Sequence, residues 1–98
     1  MIAATSPAVP LTVPLVRTIS QQALAQTLAA SNGRGALADC HLVKTDTRYG
    51  FCHFAMRFTG SSGKRYRCTG TIQVRRINQT PDVGYKKHGV SCNGKVVN

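Results

Sequence analysis

Residues 39–59 read DCHLVKTDTRYGFCHFAMRFT, and the second half of that stretch decides the fold. In residues 49–59, Cys52, Phe54, Met56 and Phe58 alternate with Phe51, His53, Ala55 and Arg57. A period of two with one apolar face is the pattern of a half-solvated strand in an antiparallel sheet. The segment KRYRCTGTIQVRRI repeats it. There Tyr66, Cys68, Ile72 and Val74 alternate with Arg65, Arg67, Thr69, Thr71, Gln73 and Arg75. Between the two, TGSSGK at 59–64 supplies a turn.

Working outward, the period of two begins at Ala38, and a first strand ends near Thr45–Thr47 at a hairpin turn. After the third strand, NQTPDVG at 78–84 marks a bend at Pro81, with a turn near Thr80. YKKHGVSCNGKVV then forms a last strand weakened by Gly89 and Gly94. Upstream, TISQQALAQTLAASNG has the composition of a helix, expected at about 19–31. Ser20 is the expected N-cap, with Ile19 and Leu24 as a hydrophobic staple. Thr18 with Gln21 offers a second capping arrangement, and Asn32-Gly33 the stop. Leu24 and Leu28 give a narrow apolar stripe, so this helix must lie on something larger.

Residues 1–17 form a Pro-rich extended arm, ending as a short strand around Leu11–Val16. Pro7, Pro10 and Pro14 exclude a continuous membrane helix there. The stretch also lacks the basic start of an intact signal peptide. The expected architecture is α+β: this arm, then a single domain over 18–98, one N-terminal helix packed on a four-stranded antiparallel meander.

Cys40-His41 and Cys52-His53 raise zinc as one reading. Neighbours on a strand point to opposite faces, however, so two Cys and two His placed this way do not converge on one ion. The hairpin reading does better. A turn at Thr45–Thr47 sets Cys40 opposite Cys52, and a turn near Thr80 sets Cys68 opposite Cys92. In each case the Cys shares a face with apolar neighbours. Four Cys allow three pairings; Cys40–Cys52 with Cys68–Cys92 is the preferred one. Four buried free thiols are the competing reading. Two bridges imply an oxidising compartment, secreted or at the cell envelope. They would also suit a 98-residue chain, which buries roughly 65% of its unfolded surface and so has a modest core.

Charge is the other strong signal. Thirteen Lys and Arg stand against three acids, Asp39, Asp46 and Asp82, with no Glu, for a net charge of +10. So few carboxylates supply paired-carboxylate catalysis and Ca or Mg sites poorly. The field favours an anionic partner: nucleic acid, a cell-envelope polymer, anionic lipid or an acidic protein surface. The strand register gathers His41, Tyr49, Phe51, His53, Arg57, Arg65, Arg67 and Arg75 on the face away from the helix, with Lys95 beside them, as the candidate binding face. Such residues can stack bases and neutralise phosphates, or simply solvate an open sheet and guard its edges. The arm is placed to cover Tyr49 and Phe51. No RNP-type motif, Gly-rich phosphate loop or helix-turn-helix pattern occurs.

The segment 39–77, with its YRC-x-G-x-x-x-V-x-R flavour, resembles small secreted actinobacterial proteins of unknown function, over about residues 18–77. That resemblance implies export. One helix followed by four strands and two successive bridges also resembles a secreted cystatin. The cystatin signature Q-x-V-x-G is not matched, because QVRRI at Gln73–Ile77 has no glycine and the chain has no Trp, so no inhibitory residue carries over. The expected function is that of a non-catalytic, cofactor-free, exported binding or accessory module, a monomer or weak dimer. A protease-inhibitor module and a small secreted ribonuclease using His41, His53 and His88 are the alternatives.

Overall fold

The computed structural model describes residues 11–77 and 83–96. Helix α1 spans Val13–Ser31, and strands β1 Arg34–Leu42, β2 Tyr49–Thr59, β3 Arg65–Arg76, β4 Val83–Cys92 and β5 Lys95–Val96 follow it. The strands form one antiparallel sheet in the order β1-β2-β3-β4-β5, each paired with the next in sequence. The helix on a four-stranded meander is therefore the architecture, with a two-residue fifth strand added at the end.

The helix starts six residues earlier than its expected beginning, and at Thr12 rather than Ser20. Thr12 is extended and its hydroxyl accepts from Leu15 N, while Pro14 lies in the first turn. Proline is welcome there, since its fixed φ suits a helix and its missing N–H would have had no partner. The residue read as a breaker is thus part of the start signal. The expected strand at Leu11–Val16 is replaced by helix, and the arm ends before residue 13; residues 1–10, the rest of it, lie outside the described residues. Ser20 is fully buried within the helix. The stop is as expected: Asn32 takes the left-handed conformation, φ 52°, and its N–H and that of Gly33 reach Leu28 O.

The helix rests mainly over β1 and β2. Its buried side, Val16, Ala23 and Leu24, meets Cys40, Cys52, Phe54, Met56, Cys68, Ile72 and Val74 of the sheet, and Leu11 closes one end. Full burial of such side chains is worth about 1.5–3 kcal/mol each. The alternation read for β2 and β3 is the one observed, with Cys52, Phe54 and Met56 and then Cys68, Ile72 and Val74 buried.

Two irregularities interrupt the ladder. In β1, Ala38 and Asp39 together oppose His53, so Leu37 and Cys40, three residues apart, both face the helix side, Cys40 within the core cluster and Leu37 packed against it. In β4, Gly89 and Val90 oppose Gly70, and Gly89 takes φ 61°. The expected single last strand is broken by Asn93-Gly94, with φ 52° and 82°. Two successive positive φ values make the tight hairpin that Asn-Gly favours, and they start β5.

Both disulfides have the preferred pairing. Cys40 and Cys52 are register partners with Cα atoms 4.1 Å apart, and Cys68 and Cys92 are partners at 4.0 Å. No cysteine is free among the described residues, so neither buried thiols nor a Cys-ligated zinc remains. The β1–β2 turn is held by Asp46, whose carboxylate accepts from Arg48 N at 3.1 Å and twice from its guanidinium at 3.0 and 2.8 Å. The expected turn near Thr80 falls on residues 78–82, outside the described residues. No helix among the described residues is long and apolar enough to cross a membrane.

Candidate functional site: the outer sheet face

The face of the sheet opposite α1 is built row by row from the register. At one end, Arg34 of β1, Arg57 of β2 and Arg67 of β3 are successive partners, so three guanidinium side chains leave adjacent strands in one line. Arg65 follows on β3, opposite Thr59. The next row inward is short: Ala36, Ala55, Thr69 and Ser91. His53, Thr71 and His88 form another, and His41, Phe51, Gln73 and Lys86 the one after it. Tyr49 pairs with Arg75 at the far end.

The eight residues expected on this face lie there, but Lys95 does not: it is the register partner of Cys92, whose side chain joins Cys68 on the helix side of the sheet. The bulge at Ala38–Asp39 keeps His41 aligned with Phe51. Sequence reading missed Arg34, because β1 was expected to begin at Ala38. The stretch RGALA has no alternation, and the bulge hides the change of parity, so the only signal was an Arg just past the Asn32-Gly33 stop. Lys86 and His88 also join the face by register.

The arginine row is positioned from behind. Asn93, at the β4–β5 turn, accepts from Arg67 N through Oδ1 at 2.9 Å and donates its own N–H to Arg67 O at 2.8 Å. Its Nδ2 donates to Arg65 O at 3.1 Å. This fixes the end of β3 that carries both arginines. A depression of about 530 Å³ lies over the Ala36–Ala55 floor, with Arg34, Arg57 and Arg67 around it. A second, of about 640 Å³, continues past Arg65 to Tyr66 and Asn93.

Among the described residues, no carboxylate compensates the row. Of the two carboxylates in the described residues, Asp46 is engaged by Arg48, and Asp39 accepts from His41 Nε2 at 2.5 Å. These bonds hold both carboxyls below the usual carboxylate value. No described carboxylate pairs with Arg34, Arg57, Arg65, Arg67 or Arg75. Like charges directly opposed on adjacent strands are destabilising.

At the other end the rings meet. The centroid of Phe51 is 5.6 Å from that of His41 and 5.4 Å from that of His53. His53 Nδ1 is hydrogen-bonded to Thr71 Oγ1 at 3.1 Å, and the Arg48 guanidinium lies 6.0 Å from the Tyr49 ring. The expectation that the arm covers Tyr49 and Phe51 falls on residues outside those described. No group of three or more metal-ligating side chains gathers among the described residues. Comparison with protein-family models, with curated proteins and with solved structures finds no match.

Proposed function

We propose that the chain is a non-catalytic binding module of an oxidising, extracytoplasmic setting, secreted or held at the cell envelope, whose outer sheet face takes an anionic partner. The observation that carries this reading is the line Arg34–Arg57–Arg67, set in register across three strands with no described carboxylate to pair with it. Three cations placed side by side repel one another until an anion lies across them, so a bound polyanion relieves a cost built into the fold. The two disulfides support the compartment, since such bridges persist where thiols are oxidised.

The test is retention on immobilised heparin, eluted with salt. The wild-type protein is retained at low salt, and the Arg57→Gln, Arg67→Gln double variant elutes early. A wild-type protein that flows through at low ionic strength, or a double variant that elutes with it, overturns the reading.

A second reading, cleavage of RNA, draws on one observation: Asp39 orients His41 by a hydrogen bond, and His53 lies on the same face. A carboxylate-oriented imidazole with a second imidazole nearby is the equipment of general acid–base catalysis. Pure protein that leaves RNA intact over long incubation removes it.

A further inference from the structure

The polyanion reading leaves the rings unexplained. Tyr49, Phe51 and His53 are successive outer-face positions of β2, about 6.8 Å apart along the strand. His41 stands beside Phe51 from β1. Phe51 is half-buried, yet it belongs to the side of the sheet away from the helix and outside the core cluster. Between this strip and the arginines, the row Ala36, Ala55, Thr69 and Ser91 presents only short side chains. The outer face is thus a low floor with the rings and Arg75 towards one end and the row Arg34, Arg57 and Arg67 at the other.

A polymer of charges alone engages the arginines and gains nothing from the rings. A ligand with flat faces strung on an anionic backbone uses both. Duplexes hide their base faces, whereas an extended single strand offers them for stacking on an open sheet. We infer that the outer face binds single-stranded nucleic acid, with a base stacked on Phe51 and backbone phosphates across Arg34, Arg57 and Arg67. This rests on the polyanion reading and names its ligand class.

The test is fluorescence anisotropy with a labelled short oligothymidylate, an abasic oligomer of equal length and charge, and labelled heparin, at matched salt. Proteins are the wild type, Phe51→Ile, Phe51→Tyr and the Arg57→Gln, Arg67→Gln double variant, each with its disulfide pairing and melting temperature verified. The wild type binds the thymidylate more tightly than the abasic oligomer. Phe51→Ile weakens thymidylate binding by about 5- to 150-fold, the range for one base–ring stack. It leaves abasic binding unchanged, and Phe51→Tyr keeps the thymidylate affinity. The double arginine variant weakens every ligand. Equal wild-type affinity for both oligomers, with Phe51→Ile silent, overturns the inference and leaves the polyanion reading standing. A Phe51→Ile loss of equal size with heparin assigns the ring to a sugar and also overturns it. Failure of all three ligands to bind at low salt overturns both.

Discussion

Cys68 and Cys92 face each other across β3 and β4 with their Cα atoms 4.0 Å apart, closing a loop of separation 24 in the chain. The other bridge closes a loop of separation 12. In the chain-entropy view each stabilises by restricting the unfolded chain, the longer loop more. Cys68→Ser with Cys92→Ser is expected to lower unfolding free energy by about 3 kcal/mol, and Cys40→Ser with Cys52→Ser by slightly less. Urea titration followed by circular dichroism measures both, and a near-zero loss for either pair contradicts the account.

Gly50 is where the helix presses on β2. A Cβ there would stand 2.6 Å from Val16 Cγ2 and 3.1 Å from His41 O. Val16 is fully buried, so it has little room to retreat. Gly50→Ala is expected to cost about 1–3 kcal/mol by overpacking, read as a lower urea midpoint at unchanged slope.

Ser20 carries a buried hydroxyl with no hydrogen-bond partner among the described residues. Removing an unsatisfied polar group lifts its desolvation penalty, and Ala is the better helix former. Ser20→Ala is expected to raise stability by about 1 kcal/mol, seen as a higher melting temperature. A lower one means that the hydroxyl has found a partner in solution.

Salt dependence counts the phosphate contacts. Each cation that engages a single-stranded backbone contributes about 0.7 to the slope of log affinity against log salt. Arg34→Gln, Arg57→Gln and Arg67→Gln are each expected to flatten that slope by about this amount for oligothymidylate, measured by anisotropy at several salt concentrations. Arg17→Gln, on an exposed position of the helix, is expected to change it little.

Acid loosens the β1–β2 turn. The Arg48 side chain and backbone hold the Asp46 carboxyl below its ordinary value of 3.8. A carboxyl depressed in the folded state stabilises fully above its unfolded value, and that contribution disappears as the pH falls through the lower, folded value. The turn is therefore expected to lose order only below about pH 4, and Asp46→Asn to remove that acid response. Chemical shifts of the Val43 and Tyr49 amides, each bonded within the turn, report it. A turn equally sensitive to acid in the Asn variant contradicts this.

Alternation made the sheet readable. Where each strand keeps one face in the core and one in water, as in β2 and β3, residue type alone assigns the faces, and the Cys positions then follow as cross-strand partners. The helix stop was readable for the same local reason, a residue suited to the left-handed conformation. The misreadings came where one residue serves two structural roles. Pro14 looks like a breaker and is a helix starter. Ser20 looks like a cap and is a buried mid-helix residue. Asn93-Gly94 is short enough to pass for a weak spot in a strand rather than a turn. The outer face was legible as a set of residues but not as a pattern. Its arginine row depends on Arg34, which the bulge at Ala38–Asp39 brings into line, and bulges leave no trace in hydrophobic period.

The two bridges divide the chain into closed rings, 40–52 and 68–92, and only the stretch from Cys52 to Cys68 ties one ring to the other. A protease that cuts once inside either ring leaves a single covalent molecule. One cut at the Gly60–Lys64 turn instead yields two fragments, the helix with β1 and β2 on one side and β3 to β5 on the other. These are held together by the central ladder and the core alone. That turn is the described hairpin tip that lies between the two rings, and a single cut there separates them without reductant.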